Sequence, residues 1–427
     1  MITRSLRPAL LAAALLATLP AAAQDLLVRG ATVHTASAQG TLADTDVLVL
    51  RGRIAAIGKN LGAPAGISVV QANGQALTPT LFGGISELGA EEVSGVEATA
   101  DSRLRLEDQP ARPEFDLSLA FNPDSLLLPV ARAEGIGFSA LAPNPGGSFI
   151  AGQGAVIRTQ GDSQPLASRQ LYLSLGGNVS AQSGQSRAAQ WMLLAQMVEE
   201  ARGNLPASSP HALLSPAGRK ALASYLAGND RVMVRVDRAS DIAQLLRWAA
   251  REKVRIGIVG GAEAWKQADA LAAAKVPVFL ETLVNLPASF DQLGARADAA
   301  ALLAAAGVEV SYVLNGDGAH NARKLRQSAG NAVAQGLPWE TAYAGLTSVP
   351  ARALGVDDEL GSIAIGKRAD LVLWDGDPLD VAHVARRVWM GGVEQALRSR
   401  QTELRDRYQA PAGSQPRAYL QPSAPRY

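Results

Sequence analysis

The side chains that most often do chemistry are scarce in this 427-residue chain. It has no cysteine, which excludes thiolate metal sites, cysteine nucleophiles and disulfides. Its four histidines, His34, His211, His320 and His383, are scattered, and no G-x-S-x-G turn accompanies them. A Ser-His-Asp arrangement therefore has no support. Gly146-Gly147 and Gly152-Gln153-Gly154 lack the lysine and spacing of a phosphate loop. His34 and His383 read as structural, and His211 as a surface residue in a Ser/Pro-rich connector. His320 reads as a loop residue close to Asp317. Lys220, in Pro216 to Leu226, reads as part of an exposed helix.

Any working group must be held by regular elements. From Asp25 to Thr78 the chain is β-rich, with short apolar strands at Leu26-Leu27-Val28, Asp46 to Leu50 and Ile54 to Ile57. Turns fall at Arg51-Gly52 and Asn73-Gly74. The middle alternates strands and helices, the pattern of βα units on a parallel sheet. Ile242, Leu245, Leu246 and Ala249 fall at i, i+3, i+4 and i+7, which predicts an amphipathic helix. A strand from Ile256 to Val259, a helix from Glu263 to Ala274 and a strand from Val276 to Leu280 follow. Beyond Leu360 the sequence is β-rich again.

Several segments carry a family resemblance. Leu360-Gly-Ser-Ile-Ala-Ile-Gly-Lys-Arg-Ala-Asp-Leu-Val-Leu-Trp-Asp-Gly-Asp-Pro378 resembles the segment that closes the amidohydrolase β-sandwich, and Leu346 to Gly355 resembles the "T-x-N-P-A-x-x-L-G" before it. Asp46 to Gly58 resembles the opening of the same sandwich. Pro79-Thr80-Leu81-Phe82-Gly83-Gly84-Ile85-Ser86-Glu87-Leu88-Gly89 resembles the first barrel strand, usually P-G-[LF]-I-D-x-H-x-H-L-G. Phe121 to Ser125, Gly147 to Gly154 and Gly260 to Trp265 are similar to the exported, imidazolonepropionase-like branch. The resemblance implies a (β/α)₈ TIM-like barrel with a composite β-sandwich, and a site at the C-terminal strand ends. It implies hydrolysis of non-peptide C–N bonds, often with one or two divalent ions that acidify bound water and polarise a carbonyl.

The implied ligand set is eroded. Ile85 and Glu87 stand where the two strand-1 histidines belong. Arg235 and Asp237 stand at the strand-5 positions, Gly260 at the strand-6 histidine, and Asn315 at the strand-8 aspartate with Asp317 two residues later. Glu87, Asp237, Asn315 and Asp317 are the positional catalytic candidates. No metal ligand is assigned and no cofactor is expected, so the chain reads as a pseudoenzyme or a non-catalytic partner. Alternatively, the chain is an active amidohydrolase, either with the remaining oxygens holding Zn, Mg or Mn in an altered site or with no metal, or the barrel mouth binds a small molecule. An ion pair between Glu87 and Arg235 is favoured over a metal site.

Residues 1–23 read as a signal peptide, with Arg4 and Arg7, an apolar run from Pro8 to Leu19 and Ala21-Ala22-Ala23. A periplasmic or secreted destination follows. Its removal leaves 38 basic against 39 acidic residues, which argues against nucleic-acid binding. No later stretch is long enough to span a membrane. The predicted divisions are residues 24–78 and 346–395 for the sandwich, 79–345 for the barrel and 396–427 for a flexible polar tail. Glu91, Glu92, Glu97, Asp101, Arg103, Arg105, Glu107, Asp108 and Arg112 form a charged connector, read as a lid over the barrel face or a solvated excursion. Tyr408, Tyr419 and Tyr427 make the tail a candidate docking arm. Homo-oligomerisation, or pairing with an intact amidohydrolase, is the expected assembly.

Overall fold

In the computed structural model, residues 25–106, 111–161, 164–166, 168–283, 286–316 and 318–409 are described. Five strands come first: β1 (Leu26–His34), β2 (Thr41–Leu50), β3 (Arg53–Gly58), β4 (Ser68–Gln71) and β5 (Ala76–Pro79). Arg51 and Gly52 have φ of 51° and 73°, the paired left-handed geometry that suits the twist of the β2–β3 hairpin. Eight strands follow, β6 (Leu81–Ser86), β7 (Ile136–Leu141), β8 (Ile150–Arg158), β9 (Arg169–Ser174), β10 (Arg231–Val236), β11 (Ile256–Gly260), β12 (Val278–Leu280) and β13 (Val310–Tyr312). β14 (Leu371–Trp374), β15 (Ala385–Met390) and β16 (Val393–Glu394) then return to the first sheet.

That first sheet runs β16-β15-β14-β5-β1-β2-β3, with β4 also beside β1. It curls on itself: Ile54 exchanges backbone hydrogen bonds with Lys367 (2.9 Å) and Gly366 (2.8 Å). Val28, Val33, Val47, Val49, Leu77, Leu371 and Trp389 pack inside the curl. The closing signature segment therefore completes a core begun some 300 residues earlier in the chain, as the two ends of a composite sheet must.

β6 to β13 lie side by side in chain order and form the nearly closed sheet of a TIM-like barrel. β6 pairs parallel with β7, and β9 through β13 pair parallel in succession. β8 is antiparallel to both neighbours. Residues 142–149 and 159–168, which flank it, are too short to form the crossover helix that a parallel connection needs. Side chains alternate about each strand. Leu171, Leu173, Val232, Val234, Ile256 and Ile258 face the helices. Phe82, Ile85, Phe138, Tyr172, Met233, Val259 and Phe279 fill the lumen. Phe82 meets Phe138 at 5.3 Å and Phe279, from β12, at 6.0 Å between ring centroids.

The helix Ala239–Glu252 buries Ile242, Leu245 and Ala249, as their spacing predicts, while Leu246 is only partly buried. The helix expected from Glu263 divides into a 3₁₀ turn, Ala264–Gln267, and a short helix, Ala268–Ala273. The tail, expected to be flexible, carries a helix, Arg400–Tyr408. It is started by a capping box in which Ser399 and Thr402 bond reciprocally. Tyr408 is exposed, and Tyr419 and Tyr427 lie outside the described residues. No helix among the described residues is long and apolar enough to cross a membrane.

Candidate functional site

The C-terminal strand ends open on a cleft of about 330 Å³. Its lining includes Ile85 on β6, Glu87 after it, Asn144 after β7, Tyr172 and Ser174 on β9, Arg235 on β10 and Asn315 after β13. A second lobe of about 440 Å³ adjoins it and holds Asp237, Glu281, Asp291 and Gln292. Arg235, Asn315, Ser174 and Pro145 line both lobes. Glu87, Asp237 and Asn315 are thus brought to one mouth, while Asp317 lies outside the described residues.

Ile85 is buried in the lumen cluster with Phe82, Phe138, Tyr172 and Val259. It is an apolar plug where a metal ligand was looked for. A bulge at Gly83-Gly84, with Gly84 at φ 93°, sets this register of β6 against β7. Glu87 accepts a short hydrogen bond from the Asn144 amide. Burial pushes its carboxyl above the ordinary range, the Asn144 bond and Arg235 oppose the shift, and Glu91 adds to it.

The expected Glu87–Arg235 ion pair does not form. Arg235 donates instead to the Asn315 side-chain oxygen, and no ion pair involves it among the described residues. Burial pulls its guanidinium down, while Asp237, Glu87 and Glu281 draw it back up from a distance. Asp237 faces the second lobe, where it accepts from the Ala262 amide (3.1 Å) and the Gln292 side chain (3.0 Å). Its carboxyl too is raised, chiefly by burial. Gly260 does not aim at the lumen: strand alternation gives that place to Val259. A Cβ on Gly260 would come 2.7 Å from an Asp237 oxygen.

Three groups were missed in the sequence. Glu281 directly follows β12, just as Glu87 follows β6 and Asp237 follows β10, so the rule "first polar residue past the strand" finds it. Its carboxyl is raised by burial, and one oxygen is buried without a hydrogen-bond partner. Tyr172, whose buried hydroxyl also lacks a partner, carried no signal distinguishing it from any core strand residue. Asn144 sits in an irregular loop that the sequence does not align.

The histidines stay out of the mouth. His34 contacts Thr41 (3.0 Å) and packs tilted against the Trp339 ring, and His383 lies 3.3 Å from Asp375. His211 is exposed, as is Lys220. His320 bonds the Glu92 carbonyl (2.9 Å) and so holds the connector down. The connector itself forms wall rather than excursion: Glu91, Ser94 and Arg103 line the cleft, and Asn144 donates its backbone N–H to Ser102 (2.9 Å).

Residues 263–402 match the Amidohydrolase family. That match covers about a third of the chain, and the barrel with its companion sheet resembles solved members of the amidohydrolase superfamily. A solved amidohydrolase of Thermotoga maritima is similar with a TM-score of 0.77 at 24% identity, covering 87% of this chain and 100% of the other. A molinate hydrolase is similar at a TM-score of 0.53 and 14% identity, covering 88% and 95%. An adenosine deaminase of Xanthomonas campestris with bound zinc gives 0.50 at 18% identity, covering 87% and 92%. These likenesses establish the fold. A curated amidohydrolase, tasK, of Hapsidospora irregularis is 40% identical over 75 residues, which is 18% of this chain and 8% of that protein.

Members of the superfamily usually bind a divalent metal. The donors here do not fit one. Divalent ions of this class take imidazole nitrogens and carboxylate oxygens. At the strand ends stand an isoleucine, an arginine, a serine and a valine beside a glycine, and of the carboxylates that follow the strands Glu87 and Asp237 already accept from protein donors. No group of three or more His, Asp or Glu among the described residues is placed to hold an ion.

Proposed function

We propose that this amidohydrolase-like chain is an exported barrel without metal-dependent hydrolase activity, which uses its mouth to bind a small molecule. One observation carries the reading: Arg235 puts a fixed cation into the mouth, beside the buried apolar Ile85. A guanidinium repels a second cation and cannot act as a Lewis acid toward water. Two adjoining lobes lined by a few convergent polar groups supply the concave, largely preformed site that small ligands require. Export rests on the first 23 residues, which lie outside the described part of the chain.

The test is elemental analysis of purified mature protein, before and after mild chelation, with C–N hydrolysis assayed in parallel. Zinc, magnesium and manganese are each expected well below one per chain, with no hydrolysis that chelation removes. Near-stoichiometric metal that survives chelation overturns the reading.

A further inference from the structure

Arg235 is a charged group with most of its bonding capacity unspent. A guanidinium carries five N–H donors, yet among the described residues its side chain makes one hydrogen bond, to Asn315, and no ion pair. It stands where the two lobes meet, with Glu87 in one and Glu281 in the other. Both carboxylates are near enough to act on it electrostatically, and neither is in contact with it. Elsewhere in this molecule arginines near carboxylates close on them: Arg219 reaches Glu200 at 3.2 Å and Arg202 reaches Glu252 at 2.7 Å. The stand-off in the mouth is therefore a gap between opposite charges, opening on a cavity.

Two further residues hold a buried atom without a partner, Tyr172 beside the first lobe and Glu281 beside the second. The Glu281 Oε2 is buried and accepts no hydrogen bond, and the Tyr172 hydroxyl, on a residue only 6% exposed, makes none. Buried polar groups are nearly always satisfied, so each such exception asks for a ligand or a water. The signs of the charges narrow the choice. A dianion such as phosphate would meet Glu87, Asp237 and Glu281 around one arginine. A monocarboxylate alone would leave Glu281 unpaired. Glu87 already has Asn144, so the free acceptor is Glu281.

Resting on the metal-free reading above, we infer that the mouth binds a small amphoteric molecule, an amine-bearing carboxylate. Its carboxylate takes the free N–H edge of Arg235, the planar fork that matches it, and its protonated amine takes Glu281. Tyr172 supplies a further hydrogen bond from the floor.

Calorimetric titration of the full mature protein tests this with a defined panel: glycine, β-alanine, 4-aminobutanoate, 5-aminopentanoate and 6-aminohexanoate. Butanoate, butylammonium and inorganic phosphate are the single-charge and dianion probes. One chain length is expected to bind at one per chain, with butanoate and butylammonium each at least about tenfold weaker. Arg235→Met should lower that affinity about a hundredfold. Glu281→Gln should weaken the amphoteric probe about tenfold and leave butanoate unchanged. Circular dichroism and melting verify that both variants are folded. Phosphate or butanoate binding as tightly as every amino-carboxylate overturns the inference, as does Glu281→Gln without effect, or no panel member binding below about 10 mM. Metal content measured on the same sample separates the failures. Bound stoichiometric metal defeats the reading of the site, whereas metal-free protein that ignores the panel defeats this inference alone.

Discussion

The curled sheet and the barrel mouth both bury charges, and they treat them oppositely. In the sheet, Asp46 accepts from the amides of Gly30 (2.8 Å) and Leu61 (2.9 Å), with Arg29 at 3.6 Å. Asp370 accepts from the Gly391 amide (2.6 Å) and from Arg368 (2.8 Å). Where the returning segment meets the barrel, buried Arg326 donates to the carbonyls of Pro378, Asp380 and His383 and lies over the Trp374 ring. In the mouth, Arg235 has one partner, and Glu281 and Tyr172 each hold an unpaired atom. Arg29 Nε in the sheet is also without a hydrogen-bond partner, so the difference lies in the carboxylates, which the sheet saturates, and in Arg235, which the mouth leaves with one bond.

That contrast can be broken by substitution. The largest effect belongs to Arg326→Met, which removes the buried donor of the Pro378, Asp380 and His383 carbonyls and should lower unfolding free energy by about 3 kcal/mol, read by denaturant titration. If the loss is under about 1 kcal/mol, the returning segment is held by its apolar contacts instead. Gly260→His, a step toward the family ligand set, should cost about 2 kcal/mol by the same measure. The residue has φ of 91°, and its new Cβ would crowd Asp237. Zinc uptake by this single variant would show that the strand-6 position faces the lumen after all.

Glu87→Gln separates an ion pair from a lone buried carboxyl. A carboxyl whose folded pKa lies above its unfolded value of 4.5 binds its proton more tightly in the native state. Its contribution is therefore lost as pH rises from the unfolded value through the folded one. The glutamine variant escapes that loss. Its melting temperature should match the parent near pH 4 and exceed it at pH 7, by about 1 kcal/mol of stability. A variant less stable at pH 7 would restore the expected pairing with Arg235. The smallest effect should come from Arg235→Met without ligand, within about 0.5 kcal/mol of the parent, because little bonding is removed.

The fold was legible because its signals are local and repeated. Arg51-Gly52 names a hairpin turn, Ile242 to Ala249 names a helix face, and the Leu360 to Pro378 segment carries a family pattern that completes a distant core. Glu87, Asp237 and Asn315 were placed at one mouth because strand ends converge in a barrel whatever the side chains are. Their partners were not legible. Which oxygen Arg235 bonds depends on how Asn315 and Glu87 sit after their strands, and distances of that kind leave no trace in spacing. The Gly260 position was read one residue out of phase with the pleat, since period two fixes Val259 inward only once the register is known. The Arg400–Tyr408 helix escaped notice because polar composition suggested a loose tail, while its capping box uses threonine in place of the usual acid.

The reversed strand β8 bears on how quickly the mouth can exchange its contents. Gln153 on β8 takes the Phe115 carbonyl at 2.6 Å, and Asp116 of the connector reaches Arg169 on β9 at 3.4 Å. Asn122 is tied to Gly89 at 2.7 Å as well, so this wall is stitched down along its length. Across the opening, Leu286, Phe290 and Leu293 stand largely in solvent. For a ligand held as proposed above, the less tied 286–293 side is the expected route, and stiffening that segment should slow release while leaving the equilibrium affinity nearly unchanged.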